Sequence, residues 1–159
     1  REHGLPPQPA SFFENFQRHV LAKGRGMVLL ASLGGQTVAG SVYVHFGRKA
    51  VYKYGASDRR YQHLRANNLI MWEAIQRYSA DAYASLDLGR TEPENAGLLQ
   101  FKRGWGCDER PFHSYNYDLR SEAFVAGRLA VSGAHTAFFR HLPLPLLKLA
   151  GTLLYRHVG

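Results

Sequence analysis

The pattern of apolar and polar positions predicts helices and strands in alternation. Behind Ser11, a possible N-cap, Phe12, Phe13, Phe16 and Val20 fall close to the i, i+3, i+4 spacing of one helix face, and Gly24 supplies a stop. Three strand-like runs follow, 27–33, 37–46 and 50–55, separated by Gly34-Gly35 and by Gly47-Arg48-Lys49. Connections this short make tight hairpins, so the runs predict an antiparallel meander. Next, Leu69, Ile70, Trp72, Ile75 and Tyr78 trace a helical face behind the possible caps Asn67 and Asn68. Residues 84–88 read as a short strand, and the segment 91–95 can cap a third helix through LLQFKRGW, stopped by Gly104 or Gly106. Within 110–120, Phe112, Tyr115, Tyr117 and Leu119 alternate with polar residues as in a strand. The remainder is helical in composition and broken at Pro143 and Pro145, which predicts helices over 121–139 and 146–156.

Composition narrows the class. A chain of 159 residues has the size of one domain and buries roughly two-thirds of the surface its unfolded form exposes. Its 45% hydrophobic and 20% charged residues exclude intrinsic disorder. Residues 1–10, with prolines at 6, 7 and 9, read as a linker or domain entry, 11–120 as the main domain and 121–159 as a C-terminal helical extension. The chain starts at Arg1 and shows neither a leader nor a membrane-length apolar run, so it is expected to be an excised piece of a cytoplasmic protein. The lone Cys107 makes no internal disulfide, and with it the eight histidines show no zinc-ligand spacing, so no metal site is expected.

Charge points to an anion. The formal charge is +8, and no acidic residue follows Glu122. That balance suits a phosphate-bearing substrate, RNA or an acidic membrane face, or simply a basic solvated surface. The tail LPLPLLKLAGTLLYRHV, apolar with spaced basic residues, can lie on the inner membrane surface near a lipid-linked acceptor, or pack against another domain.

Several residues carry candidate chemistry. Lys102, beside Phe101 and three residues before Trp105, has an aromatic setting that can desolvate an ammonium. A fixed cation there can stabilise the oxyanion formed when an amine attacks an ester or thioester; the plainer reading is a solvent-facing helix lysine. Asp87 and Arg90 flank Gly89, where the chain can approach a ligand closely, or else they pair with each other or cap the next helix. Asn95 either caps that helix or reaches into a cleft. Tyr52 and Tyr54 are expected on one face of the third strand, and Asp58 or Glu73 can accept a proton from an amine, or serve as surface and capping residues.

The segment DLGRTEPENAGLLQFKRGWG resembles the signature D-(F/L)-G-R-(S/T)-x-P-x-N-x-G-L-x-x-F-K-x-x-W-G of FemAB-type proteins and their acetyltransferase-like relatives. HGLPPQP followed by two phenylalanines, YKYGASD and LYRHVG agree with the same pattern, so the resemblance covers nearly the whole chain. It implies an α+β, GNAT-like fold, a mixed and mostly antiparallel sheet flanked by helices, with a C-terminal helical tail. It also implies an N-acyltransferase moving an acyl or aminoacyl group onto an amine in cell-wall or polysaccharide precursors, and a further N-terminal GNAT-like domain in the same protein. The family's Phe-Lys pair, here Phe101 and Lys102, lies at the acceptor and transfer site. Asp58 would then be the proton acceptor, and Tyr54, Asn68, Asp87, Arg90 and Asn95 substrate contacts.

Two departures bear on the donor. Ala66 stands before Asn67 and Asn68, where the family often has a Pro-Asn pair. GNAT enzymes that use acetyl-CoA carry a Q/R-x-x-G-x-G/A loop whose N–H groups cradle the pyrophosphate, whereas RRYQHLRANN contains no glycine. Arg59, Arg60 and Arg65 can still receive phosphates by side chain, from acyl-CoA or from an aminoacyl-tRNA. Alternatively the domain is a non-catalytic module that supports or docks to another. General nucleic-acid binding would rest on charge alone, without a groove-entering motif.

Overall fold

In a computed structural model of the chain, residues 7–125, 143, 146–147 and 150–151 are described. Two compact units result: Phe16–Glu109, and Arg1–Asn15 with Arg110–Gly159.

The helix α1, Ala10–His19, is followed by a 3₁₀ turn at Leu21–Lys23 that ends on Gly24. The meander is as expected: β1 Gly26–Leu33, β2 Gln36–Phe46 and β3 Lys49–Ser57 pair antiparallel in sequence order. Gly34 and Gly35, at φ 56° and 81°, both take the left-handed conformation that a two-residue hairpin between right-twisted strands requires. The fourth strand, β4 Ser85–Asp87, adds parallel to β3, so the sheet order is β1-β2-β3-β4.

The crossover between these parallel strands is α2, Ala66–Ala80. Its buried face differs from the one expected. Ala66, Ile70, Met71, Ala74 and Tyr78 are buried, whereas Leu69 and Trp72 are 63% and 51% exposed. Ala66, Ile70, Ala74 and Tyr78 recur every four residues and form one stripe. The two alanines on it let the helix approach the sheet closely, which a search for large apolar side chains overlooks. Met71 beneath the sheet receives the Tyr43 hydroxyl at 3.8 Å, and both side chains are fully enclosed. Burying a side chain the size of Met71 contributes about 1.5–3 kcal/mol. The helix α3, Ala96–Arg103, follows β4.

The other unit corrects the sequence reading. The strand expected over 110–120 shrinks to β5, Asn116–Asp118, and the helix expected to start at Ser121 gives way to β6, Ala123–Val125. The two strands form their own antiparallel sheet, with Tyr117 opposite Phe124 and their ring centroids 5.2 Å apart. The turn forms because the Asp118 carboxylate accepts the Arg120 N–H and the Ser121 hydroxyl, both at 2.9 Å. Most of the two tail helices expected over 121–139 and 146–156 lies outside the described residues; Leu146, Leu147, Ala150 and Gly151 are helical.

Candidate functional site

The site begins with an irregularity in the sheet. Val42 pairs with Tyr54 and Tyr43 with Tyr52, which leaves Lys53 as an extra residue on β3. Successive residues of a strand face opposite sides, so this one-residue bulge separates the two tyrosines that were expected on one face. Tyr52 joins Tyr43 on the α2 side at a ring distance of 5.5 Å, whereas Tyr54 lies on the other side, 6.4 Å from Phe16. The pairing of β3 with β4 ends at Val51 and Asp87, and β3 continues to Ser57 beyond it. The two parallel strands therefore part at their carboxyl ends.

Beyond that parting lies a cleft of about 260 Å³, with Ser57, Tyr61, Arg65, Asn67, Asn68 and Phe101 in its wall. Three elements converge there: the end of β3, the start of α2, and α3 through Phe101. A 3₁₀ segment at Arg59–Leu64 leads into α2, and Arg65, the N-cap residue, adopts φ 51° and ψ 38° without any side-chain cap bond. The first N–H groups of a helix have no acceptor within it, and they carry the positive end of its dipole. Without a side-chain cap, this end is suited to an anion. Asn67 and Asn68, expected from the sequence as possible caps, stand instead in the first turn of α2. The Asn67 amide donates to Ser57 Oγ at 3.1 Å, while its Oδ1 is buried without a partner.

The sequence candidates divide around this cleft. Arg65, Asn68 and Phe101 line it. Asp58 caps the 3₁₀ segment through the Arg60 N–H at 3.0 Å and is forked by the Arg60 guanidinium, with a closest distance of 2.6 Å. These bonds hold its carboxyl below the usual range, which makes it a weak proton acceptor. Arg60 is occupied in the same pair, and Arg59 sits beside it on the same 3₁₀ segment. Glu73 pairs with Arg77 at 2.7 Å on the surface of α2, and Tyr54 stands on the opposite face of the sheet. Among the described residues no group of three His, Cys, Asp or Glu is arranged to hold a metal.

The signature builds the turn that follows β4. Asp87 Oδ1 accepts the Gly89 N–H at 2.6 Å, and Gly89 takes φ 75°, a conformation open to glycine at little cost. Lys102 Nζ donates to the carbonyls of Gly89 at 2.6 Å and Arg90 at 3.3 Å. Burial lowers the Lys102 pKa, offset in part by Asp87 and Cys107. Asp87 and Arg90 do not pair with each other: Arg90 meets Glu92 at 3.4 Å in the solvent. Asn95 caps α3, its Oδ1 accepting the Leu98 N–H at 3.2 Å. Thr91 Oγ1 is buried without a partner. Ser57 and Tyr61, which sequence reasoning did not single out, enter the wall only because β3 and the 3₁₀ segment fold against α2.

Comparison with solved structures shows a shared fold. The chain resembles the ribosomal-protein-S18-alanine N-acetyltransferase of Escherichia coli with TM-score 0.59 and 17% identity, over 74% of this chain and 72% of that one. It resembles AAC(6')-Iy, in complex with the bisubstrate analogue CoA-S-monomethyl-acetylneamine, with TM-score 0.58 and 12% identity over 74% and 88%. An aminoglycoside acetyltransferase from an uncultured soil metagenomic sample, in complex with sisomicin, aligns with TM-score 0.53 and 18% identity over 65% and 72%. Comparison with curated protein sequences gives no match. Residues 1–103 match the family described as the acetyltransferase (GNAT) domain, and on that match over more than half of its length the chain belongs to this family.

Proposed function

We propose that this domain transfers an acyl group from a phosphate-bearing donor to an amine, as a FemAB-type N-acyltransferase. The observation that carries the reading is the cleft at the uncapped start of α2, bordered by Arg65 and lying beyond the point where β3 and β4 part. The Ala66 and Asn67 N–H groups and the Arg65 guanidinium would hold the donor's phosphates, the Asn68 N–H being bonded to the Arg65 carbonyl. The donor's arm would run into the gap past Val51 and Asp87. Attack by an amine forms the C–N bond, the thiolate or alkoxide of the donor leaves, and the amine's proton passes to solvent. Acyl-CoA is the favoured donor, since AAC(6')-Iy of the same fold is described with a CoA bisubstrate analogue. An aminoacyl-tRNA presents the same phosphates and suits the charge of +8. Amines of cell-wall or polysaccharide precursors are the proposed acceptors, on the strength of the signature at 87–106.

A second reading, a supporting module of a larger protein, is favoured by one observation: Asp58, the expected proton acceptor, is bound up in capping. Thermal-shift titration separates the two, because a ligand that binds only the folded state raises the melting temperature by mass action. Acetyl-CoA, a longer acyl-CoA, an aminoacyl-tRNA and a UDP-linked muropeptide are titrated in turn. A shift that Arg65→Glu removes is expected for the transferase. No shift with any of the four, from a folded sample, would leave the supporting module.

A further inference from the structure

The lysine of the signature faces the backbone rather than open solvent. Its Nζ reaches the Gly89 carbonyl at 2.6 Å and the Arg90 carbonyl at 3.3 Å. An ammonium has three N–H donors, so two are committed to this turn. The strand side of the same turn is pinned separately, by the bond from the Gly89 N–H to Asp87 at 2.6 Å. The backbone there favours glycine: Gly89 takes φ 75°, a region that side chains rarely adopt, although a Cβ would meet the Tyr52 carbonyl oxygen only at ordinary contact distance, 3.6 Å. Asp87 thus fixes the turn from β4, and Lys102 fixes it from α3.

The other end of this link is the cleft. Phe101 adjoins Lys102 on α3 and forms part of the cleft wall, with Trp105 edge-on behind it at 6.2 Å. Among the elements of this unit, α3 has no contact with the sheet as extensive as that of α2, and it is short, Ala96–Arg103. A helix this short is marginal by itself; Phe101 and Trp105 pack against the core, and the Lys102 bonds to the turn fix how the helix sits on it. We propose that Lys102 is a positioning residue: by tying α3 to the Gly89 and Arg90 carbonyls, it sets Phe101 in the wall of the cleft. The consequence for donor binding rests on the reading of that cleft as the donor site; the tie itself does not.

The test uses the full chain and CoA as the probe. In Lys102→Met, which keeps length and apolar stem but has no donor, the Gly89, Arg90 and Thr91 amide resonances and the Phe101 ring resonances are expected to move, while those of β1 and β2 stay. CoA affinity is expected to fall roughly five- to tenfold, the scale of one ordinary hydrogen bond, because Lys102 acts on the donor only through Phe101. Lys102→Arg should restore both, and added ethylammonium should restore them in Lys102→Ala. Unmoved turn and Phe101 resonances in Lys102→Met would overturn the proposal and leave the ammonium for a direct role at the reacting carbonyl. Should Lys102→Met not fold, Lys102→Gln is read by the same resonances. If CoA does not bind the unaltered chain, the donor reading fails, and the resonances alone decide the tie.

Discussion

The Tyr52 hydroxyl occupies the place that a Cβ on Gly55 would take. Past the bulge at Lys53, Gly55 returns to the face that Tyr52 occupies, and the ring folds over it, with Tyr52 Cζ 2.8 Å from the position of such a Cβ. Gly55→Ala must therefore displace the Tyr52 ring, which packs 5.5 Å from Tyr43. A cost of about 1–3 kcal/mol is expected from overpacking, read as a lower urea midpoint at unchanged slope. Combining it with Tyr52→Ala should show a coupling of at least about 0.5 kcal/mol, since the two residues share one volume.

The start of α3 depends on Asn95. Its Oδ1 accepts the Leu98 N–H, and the helix runs only to Arg103. Asn95→Ala should cost about 1 kcal/mol, and Asn95→Asp should cost much less. Faster amide exchange at Leu98 and Leu99 in the alanine variant, measured by NMR, would report fraying of the helix that carries Phe101 and Lys102.

Stability should fall at alkaline pH. Burial, with the neighbouring Tyr83 adding to it, pushes the Tyr78 phenol up to about 12, and burial raises Tyr43 further. A raised folded-state pKa means that the native chain holds its proton where the unfolded chain has released it. The contribution is complete below pH 10, where the unfolded phenol is protonated, and disappears as pH rises through the folded value near 12. Tyr78 meets His45 Nδ1 at 3.0 Å, and His45 Nε2 donates to the Gly24 carbonyl at 2.9 Å, so Nδ1 accepts the phenol proton. Melting temperatures between pH 9 and 12 should decline less steeply in Tyr78→Phe than in the unaltered chain.

The 3₁₀ segment should loosen in acid. Bonds from Arg60 hold the Asp58 carboxyl below its ordinary value, so the native chain favours the carboxylate. That contribution is present above the ordinary carboxylate value and is lost as pH falls through the lowered one. The Arg60 amide resonance should therefore titrate below the ordinary carboxylate value, and Asp58→Asn should flatten its response. Because the pair is exposed, its effect should also weaken in salt.

Part of this was legible before folding. Glycine pairs and alternation located β1, β2 and β3, and Asn95 in front of an apolar run marked the start of α3. The motif from Asp87 to Gly106 resembles that of FemAB-type proteins, and the GNAT-like fold which the resemblance implied agrees with the family match over residues 1–103. The hairpin of β5 and β6 was not legible, since strands of three residues are too short for a period to show, and the composition after Ser121 favours helix.

What the sequence determined by itself was local: where the chain turns, which runs are extended or helical, and that the domain is basic. Such features depend on residues a few positions apart. Only the tertiary structure decided the faces and the site. One extra residue at Lys53 sends Tyr54 away from Tyr52, because side chains alternate with a period of two and pairing with β2 fixes where the extra residue falls. It also decided that Ala66 and Ala74, not Leu69 and Trp72, meet the sheet, since close approach rewards small side chains. Ser57, Arg65 and Phe101 came to share one cleft through contacts between β3, α2 and α3, which no local pattern encodes.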